Sequence, residues 1–241
     1  MSELMQKIER ATGSPFYDQI DRKEDSGRDC KSMRVLLEAT CSFDCAYCGV
    51  CGKQNGISFT PKELSRDFLS LHHEGKVGGL LLSTGIPRGD VALGMEKLTE
   101  TARLIRSDGH LGYLHLKVLP GAARTDIAEL AKYATRLSIN LEAPSTAHLA
   151  ELATVKNYRS DLLTRHHWLA ELMPGHHSTQ FVVGAADETD ADIYHTVCSW
   201  SRGRDGCRHL SHGCDLVRKV SSCKGLLFRI LCNQKHPFGK T

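Results

Sequence analysis

The 241-residue sequence contains no apolar run that approaches the about 18 residues a membrane-spanning helix needs. It also lacks an export signal, because the first ten residues, MSELMQKIER, form a charged amphipathic pattern. We therefore expect a cytoplasmic protein. With 41% apolar and 24% charged residues, the composition is that of a globular chain. In a cytoplasmic protein, ten cysteines are better explained by metal chemistry than by disulfide bonds.

Three of the cysteines form a C-x3-C-x2-C run in residues 41–48, CSFDCAYC. Cys41, Cys45 and Cys48 follow an apolar segment, residues 33–39, that is predicted to be a strand. Three thiolates on a short loop leaving a strand can hold one face of a compact inorganic cluster and leave one metal corner without a protein ligand. Together with Cys51 the run also permits a zinc site of four cysteines, although such sites usually take their second ligand pair from farther along the chain.

After the cysteine run, segments of helical periodicity alternate along the chain with segments that are either apolar or switch between apolar and polar residues. The predicted strands are 33–39, 79–85, 112–118, 136–142 and 180–184, and the predicted helices are 60–75, 91–107, 125–133, 145–152, 161–172 and 190–197. The first of these helices begins with a capping box, TPKE in residues 60–63. Strands that alternate with helices predict an α/β fold with a parallel sheet, either open or closed as a barrel.

The alternation stops after Val197, where the composition changes. Residues 197–241 carry nine Lys or Arg against two Asp, a net charge of +7, whereas the other 196 residues carry −4. Residues 198–241 also hold five of the ten cysteines, and none of these forms a C-x2-C pair. Because a sixth strand is due here, we favour a frameshift or truncation. A second metal module and a basic arm for nucleic acid are the alternatives.

Several polar or small residues lie where the predicted strands end, which is where reactive groups gather in parallel βα folds. His115 and Lys117 share one face of the third predicted strand. On the fourth, three polar residues alternate with leucine and isoleucine and would be costly against an apolar core, so we expect them to face a polar cavity: Ser138, Asn140 and Glu142. Lys156 and Arg159, by contrast, are expected to be solvated.

The cysteine run, with Tyr47 directly before its last cysteine, resembles that of the radical S-adenosylmethionine (radical SAM) superfamily. The resemblance narrows to DNA modification or repair radical SAM proteins, which are distantly biotin-synthase-like, and it covers residues 33–196. It rests on four ordered motifs: GGLLLSTGI (78–86), GYLHLKVLPGA (112–122), RLSINLEAP (136–144) and QFVVGAADETD (180–190). Members of that family continue into a helix-hairpin-helix DNA-binding module, whose pattern this sequence lacks.

The resemblance implies a fold, two cofactors and a set of roles. The implied fold is a partial (β/α)6 TIM-like barrel, truncated after the fifth βα unit. The implied cofactors are a [4Fe-4S] cluster on Cys41, Cys45 and Cys48 and S-adenosylmethionine on its open iron, with a flavodoxin or ferredoxin as reductant. The residues implied for S-adenosylmethionine are Ser83 and Gly85 at its methionine end, Asn140 and Glu142 at its ribose, and Tyr47, Ser138 and Gly184 elsewhere along it. Lys117 and His115 are the candidates for substrate handling.

We accordingly divide the sequence into an N-terminal helix and loop (residues 1–30), a βα core (31–197) and a basic, cysteine-rich tail that is disordered or frameshift-derived (198–241). The predicted function is hydrogen abstraction from an unidentified substrate, with nucleic acid as the candidate. Two alternatives stay open at this point. One is a non-enzymatic module that binds zinc and nucleic acid, and the other is a truncated, inactive radical SAM protein.

Overall fold

The computed structural model describes residues 20–23, 30–201, 214–220 and 226–232. The chain divides into two compact units. The first comprises Met1–Asp44 and Cys48–Leu137, and the second comprises Cys45–Tyr47 and Ser138–Thr241. Both units combine strands with helices, so the predicted α/β class is confirmed. None of the helices in the described ranges is both long and apolar enough to span a bilayer.

The first unit is built around parallel strands. Its strands are β1 (Ile20–Lys23), β2 (Cys30–Leu36), β3 (Gly79–Ser83) and β4 (Tyr113–Lys117). β2, β3 and β4 pair in parallel, and β1 joins β2 in antiparallel orientation. Leu80 and Leu82 on β3 and Leu114 and Leu116 on β4 have no exposed surface, so one face of each strand lies in the core.

Three helices connect the strands of this unit: α1 (Pro61–His73), α2 (Val91–Ser107) and α3 (Arg124–Ala131). The predicted capping box is present at α1, where Thr60 Oγ1 accepts from the backbone N–H of Glu63 at 3.2 Å and the Glu63 carboxylate accepts from the N–H of Thr60 at 2.7 Å. Asp90 caps α2 by accepting from the N–H of Leu93 at 2.9 Å. These local contacts explain why both helices begin where the sequence predicts.

The division between the two units falls within β5 (Arg136–Ser138), because Leu137 ends the first unit and Ser138 belongs to the second. Its elements in chain order are α4 (Thr146–Leu152), a π-helical turn (Tyr158–Leu163), α5 (Thr164–Leu172), β6 (His177–Val183), α6 (Asp190–Ser201), β7 (Cys214–Val220) and β8 (Leu226–Cys232). β8 pairs antiparallel with both β6 and β7.

The predicted strand over 136–142 is wrong in its extent, because β5 ends at Ser138. Beyond it, the hydroxyl of Thr179 bonds to the backbone: it donates to the carbonyl of Ile139 at 2.7 Å and accepts from the N–H of Leu141 at 3.2 Å, and that N–H also donates to the Gln180 carbonyl at 3.1 Å. That Ser138, Asn140 and Glu142 face a polar cavity stays a prediction. Ser138 and Glu142 are buried like their apolar neighbours, each 4% exposed.

The predicted tail contains β7 and β8 within the described residues. The division at residue 198, and the frameshift or truncation that would explain it, stay predictions. The helix predicted over residues 1–10 lies outside the described residues, as do Cys207 and Cys223.

Candidate active site

The cysteine loop, residues 37–59, connects β2 to α1 without a helix or strand of its own. Cys45 is buried, whereas Cys41, Cys48 and Cys51 are partly exposed, and all four are free thiols. Backbone hydrogen bonds shape the loop: Cys41 N–H donates to the Lys53 carbonyl at 3.0 Å, and Cys51 N–H to the Cys48 carbonyl at 3.1 Å. The predicted cluster ligands thus lie on one ordered loop with unpaired thiols.

In the first unit, the end of β3 packs against the start of this loop. Gly85 N–H donates to the Glu38 carbonyl at 2.8 Å, and a Cβ on Gly85 would lie 2.1 Å from the Thr40 carbonyl oxygen. Ser83 contributes its own carbonyl, which accepts from Leu37 N–H at 2.8 Å. Only glycine fits at position 85 beside this backbone. The structure therefore brings Ser83 and Gly85, both predicted site residues, to the cysteine loop.

A second glycine holds the loop from its other side. A Cβ on Gly56 would lie 2.1 Å from the carbonyl oxygen of Ala39. An ion pair anchors the same stretch, because Lys97 Nζ lies 3.2 Å from the Glu38 carboxylate, which also accepts from the hydroxyl of Thr40 at 2.9 Å. Sequence reasoning missed this pair, since Lys97 and Glu38 are 59 positions apart and belong to different elements.

The two candidates for substrate handling lie on β4. His115 is 1% exposed, and its Nδ1 lies 3.2 Å from the hydroxyl of Tyr113 on the same strand. Lys117 is the last residue of β4 and is half-buried. His115 is the middle residue of β4, and the shared face and the roles of His115 and Lys117 stay predictions.

In the second unit, Glu142 adopts a backbone conformation that is rare for a residue with a side chain. Its φ is +64°, in the left-handed region, which costs on the order of 1 kcal/mol or more outside glycine. Two bonds to β6 hold it there: Glu142 N–H donates to the Gln180 carbonyl at 3.0 Å, and the Glu142 carbonyl accepts from Val182 N–H at 2.7 Å. Asn140, two residues earlier, is half-buried.

The Glu142 side chain meets Lys156 and Tyr47 in a buried polar cluster. Lys156 Nζ donates to the Tyr47 hydroxyl at 2.8 Å and to Glu142 Oε1 at 3.2 Å, and the two charged side chains are each 6% exposed. The second carboxylate oxygen, Oε2, is buried, and no group in the described residues donates to it. The expectation that Lys156 is solvated is thus wrong: its neighbours Val155 and Asn157 are exposed, but its own side chain turns inward to Tyr47 and Glu142.

Burial and charge act together on this cluster, which also includes Cys45. Burial raises the pKa of the Cys45 thiol, and the neighbouring ammonium of Lys156, through its charge and a hydrogen bond, offsets part of that rise. Burial likewise raises the pKa of Tyr47, and the charge of Glu142 adds to the effect. For Lys156 burial lowers the pKa, but the charges of Glu142 and Cys45 outweigh it and leave the pKa above its ordinary value. Lys156 is therefore a buried cation and Tyr47 a neutral phenol.

Gly184 lies at the end of β6 with a φ of +75°, a conformation that favours glycine, and a Cβ there would meet open space. The carboxylate of Glu188 accepts from the N–H groups of Gly184 and Ala186, so it orders the loop after the strand.

The donor set was compared with what each candidate metal group requires. In the described residues, no three His, Cys, Asp or Glu side chains converge as they would around a single metal ion. In a cluster each cysteine binds a different iron atom, so the thiolates stand farther apart than the ligands of one zinc ion. The loop supplies free thiols, which are the ligands of a cluster, and in the second unit the buried Oε2 of Glu142 has no donor among the described residues.

Comparison with known proteins gave three findings. The family model described as the radical SAM superfamily matches residues 38–197. Two strains of Halobacterium salinarum contain a "Probable GTP 3',8-cyclase" that is 39% identical over 72 residues, which are 27% of this chain and 20% of that protein. The [FeFe]-hydrogenase maturase HydG matches with a TM-score of 0.59 and 13% identity over 72% of this chain and 40% of that one.

The HydG of Carboxydothermus hydrogenoformans matches with the same TM-score, 12% identity and 41% coverage of its own chain. At such low identity the two maturase structures support the fold alone. The matched segment spans a fifth of the length of the curated cyclases, and this chain spans about two fifths of the maturases.

Proposed function

Because the chain belongs to the radical SAM superfamily, whose members use a [4Fe-4S] cluster and S-adenosylmethionine, we propose that it binds both cofactors at the cysteine loop and abstracts hydrogen from a substrate. The chemistry that the bound pair supplies is reductive cleavage of the sulfonium, with the electron coming from a flavodoxin or ferredoxin. The protein's share is to hold the cofactors and to keep water away from them.

Cys41, Cys45 and Cys48 are the proposed ligands of the cluster. They lie inside the matched region, their thiols are free, and the loop that carries them is held by Gly85 and Gly56. Cys51 is not assigned as a ligand.

Glu142 is the observation that carries the cofactor-binding proposal. A carboxylate oxygen that is buried without a donor is costly, and the left-handed backbone beneath it adds to that cost. A vicinal hydroxyl of the S-adenosylmethionine ribose would donate to Oε2. Further contacts to the cofactor are proposed for Ser138 and Asn140 near the ribose, Ser83 and Gly85 at the methionine end, Tyr47 beside the cluster and Gly184 at the adenine.

We propose DNA as the substrate, with Lys117 and His115 as the residues that handle it. The support is the order of the four motifs and the excess of nine basic over two acidic residues in 197–241. GTP is the second candidate, because the relative that is 39% identical over 72 residues is named as a GTP 3',8-cyclase.

The first experiment tests the cluster. Anaerobic reconstitution of the wild-type chain should give a brown protein with about four irons per chain, as a [4Fe-4S] cluster requires. Cys41→Ala, Cys45→Ala and Cys48→Ala should each lose most of the iron, whereas the matched control Cys51→Ala should keep it. A colourless protein that binds one zinc through all four cysteines would refute the proposal in favour of the non-enzymatic module.

The second experiment tests the activity and the substrate. The reduced, reconstituted protein should release 5'-deoxyadenosine and methionine from S-adenosylmethionine, and Glu142→Gln should weaken S-adenosylmethionine binding at unchanged iron content. Duplex DNA and GTP are added in separate reactions, and the true substrate increases the release and changes mass. An intact cluster without any cleavage would instead support an inactive form.

A further inference from the structure

Lys156 is a buried cation of the second unit to which the proposed function assigns no role. It donates to Oε1 of Glu142 at 3.2 Å and to the hydroxyl of Tyr47 at 2.8 Å. The side chains of Lys156 and Glu142 are each 6% exposed. Water therefore does little to solvate or screen this ion pair, and the protein around it sets its geometry.

The backbone and the side chain of Glu142 are held by different parts of the unit. Two bonds to β6 fix the backbone, one donated to the Gln180 carbonyl and one accepted from Val182 N–H. Neither bond restricts the side-chain torsions, so the backbone alone does not decide where the carboxylate points. The contact with Lys156 decides it, because the ammonium binds Oε1, while Oε2 is buried and has no donor among the described residues.

Lys156 is in turn held on its other side by residues 45–47. The hydroxyl of Tyr47 accepts from its ammonium. The backbone of that short segment is tied to the end of α4, since Ala46 N–H donates to the Leu152 carbonyl at 2.9 Å. The ammonium is thus fixed between a phenol and a carboxylate, and it cannot follow the carboxylate without giving up the phenol.

A carboxylate held in this way is a preformed acceptor for a hydroxyl group. An ionised carboxylate only accepts hydrogen bonds, and a neutral O–H can donate to Oε2 without adding a second buried charge. Such a bond to an ionised acceptor is roughly twice as strong as one between neutral groups. Without the ammonium, the buried carboxylate would have no cation beside it, so neither its charge nor its direction would be maintained.

We infer that Lys156 is a positioning residue that makes the site selective for a ribose with intact hydroxyl groups, because it holds Glu142 with Oε2 ready to accept from the sugar. The inference rests on the proposed function, in which Glu142 binds the ribose of S-adenosylmethionine. Lys156 acts only through Glu142, so its effect on binding depends on two things: the carboxylate and the sugar hydroxyls.

The test measures affinity rather than turnover. Each protein is reconstituted anaerobically and kept without reductant, so that S-adenosylmethionine binds without being cleaved. Calorimetry then gives the dissociation constants of S-adenosylmethionine and of its 2',3'-dideoxyribose analogue, and their ratio reports what the ribose hydroxyls contribute. Lys156→Met removes the charge and the donors, and Lys156→Arg keeps both. Lys132→Met is the matched control, because Lys132 forms an exposed ion pair with Glu129.

Lys156→Met should bind S-adenosylmethionine about 10- to 100-fold more weakly than wild type, which corresponds to the loss of one hydrogen bond to a charged group. It should bind the dideoxy analogue as wild type does. Lys156→Arg and Lys132→Met should keep the wild-type ratio. A lysine that only stabilises the fold would change the stability and leave the ratio unchanged, so a wild-type ratio in Lys156→Met overturns the inference.

A second comparison applies if Lys156→Met does not fold. The double variant Lys156→Met/Glu142→Gln has no unpaired buried charge, and it should bind S-adenosylmethionine as Glu142→Gln alone does, because the two residues act as one unit. A further loss of about tenfold or more in the double variant would overturn the inference. Wild type that binds no S-adenosylmethionine refutes the proposed function itself, and wild type that binds both compounds equally refutes its assignment of Glu142.

Discussion

Replacing Gly85 by alanine should displace the cysteine loop and weaken both folding and iron binding. The added Cβ would lie 2.1 Å from the carbonyl oxygen of Thr40 and 3.0 Å from that of Glu38. Both neighbours are backbone atoms, so no side-chain rotation relieves the overlap, and the loop has to move by more than about 1 Å. The first residues of the loop would separate from the end of β3.

The expected loss in the free energy of unfolding follows from the contacts that this movement breaks. Overpacking of this kind costs roughly 1–3 kcal/mol. The hydrogen bond from Gly85 N–H to Glu38 at 2.8 Å, and the one from Ser42 N–H to Ile86 at 2.9 Å, are at risk as well. At about 1 kcal/mol for each bond, we expect Gly85→Ala to lower the free energy of unfolding by about 2–4 kcal/mol.

Gly49→Ala is the matched control, because a Cβ at position 49, in the same loop, would meet nothing within 4 Å. Its free energy of unfolding should stay within about 0.5 kcal/mol of wild type. Urea unfolding of the metal-free proteins, followed by circular dichroism, measures the first effect, and iron per chain after reconstitution measures the second. Equal stability and equal iron content in the two variants would show that β3 does not hold the loop.

Three further predictions concern other parts of the chain. Thr179→Val removes the buried hydroxyl that bonds to the backbone of Ile139 and Leu141. It should therefore lower the free energy of unfolding by about 1–3 kcal/mol and weaken S-adenosylmethionine binding through Glu142. Unchanged affinity at reduced stability would contradict the link between Thr179 and Glu142. Thr60→Ala removes the cap of α1 and should cost about 1 kcal/mol in urea unfolding, without effect on iron content. Burial lowers the pKa of His166 to about 3, whereas the pKa in the unfolded chain is about 6.5. Between these two pH values the unfolded chain binds a proton that the folded chain does not. The free energy of unfolding should therefore fall as the pH drops through this window, and His166→Phe should weaken the dependence; an equally steep profile in the variant would contradict it.

Much of the fold could be predicted because its signals are local. The helix over Val91–Ser107 begins at a capping aspartate one residue before it, and α1 begins at a capping box of adjacent residues. The apolar run of β3 and the alternation of β4 similarly reflect burial, since Leu80, Leu82, Leu114 and Leu116 have no exposed surface. The strand over 136–142 was predicted too long, because β5 ends at Ser138 and a threonine about 40 positions later bonds to the backbone beyond it, which no local pattern indicates.

The family could likewise be predicted from the sequence, because cysteine spacing on one short loop is a local property; the cluster ligands themselves stay a prediction. The cysteine run alone indicates a three-thiolate site, and the family match over residues 38–197 includes it. Ser83 and Gly85 could be predicted at the end of a strand, since parallel strands bring such ends together. What β3 contacts there, the backbone of residues 38–42, could not be read from the pattern.

The amino-acid sequence by itself determined the α/β class, the order of most helices and strands, and the spacing of the three cysteines on one loop, because each depends on residues that are neighbours in the chain. Tertiary structure decided the buried contact of Lys156 with Tyr47 and the left-handed backbone of Glu142. A lysine in a connecting segment has the same local pattern whether water or protein surrounds its ammonium. Only the packing of segments 109 positions apart removes that water and turns the lysine into a partner of Tyr47.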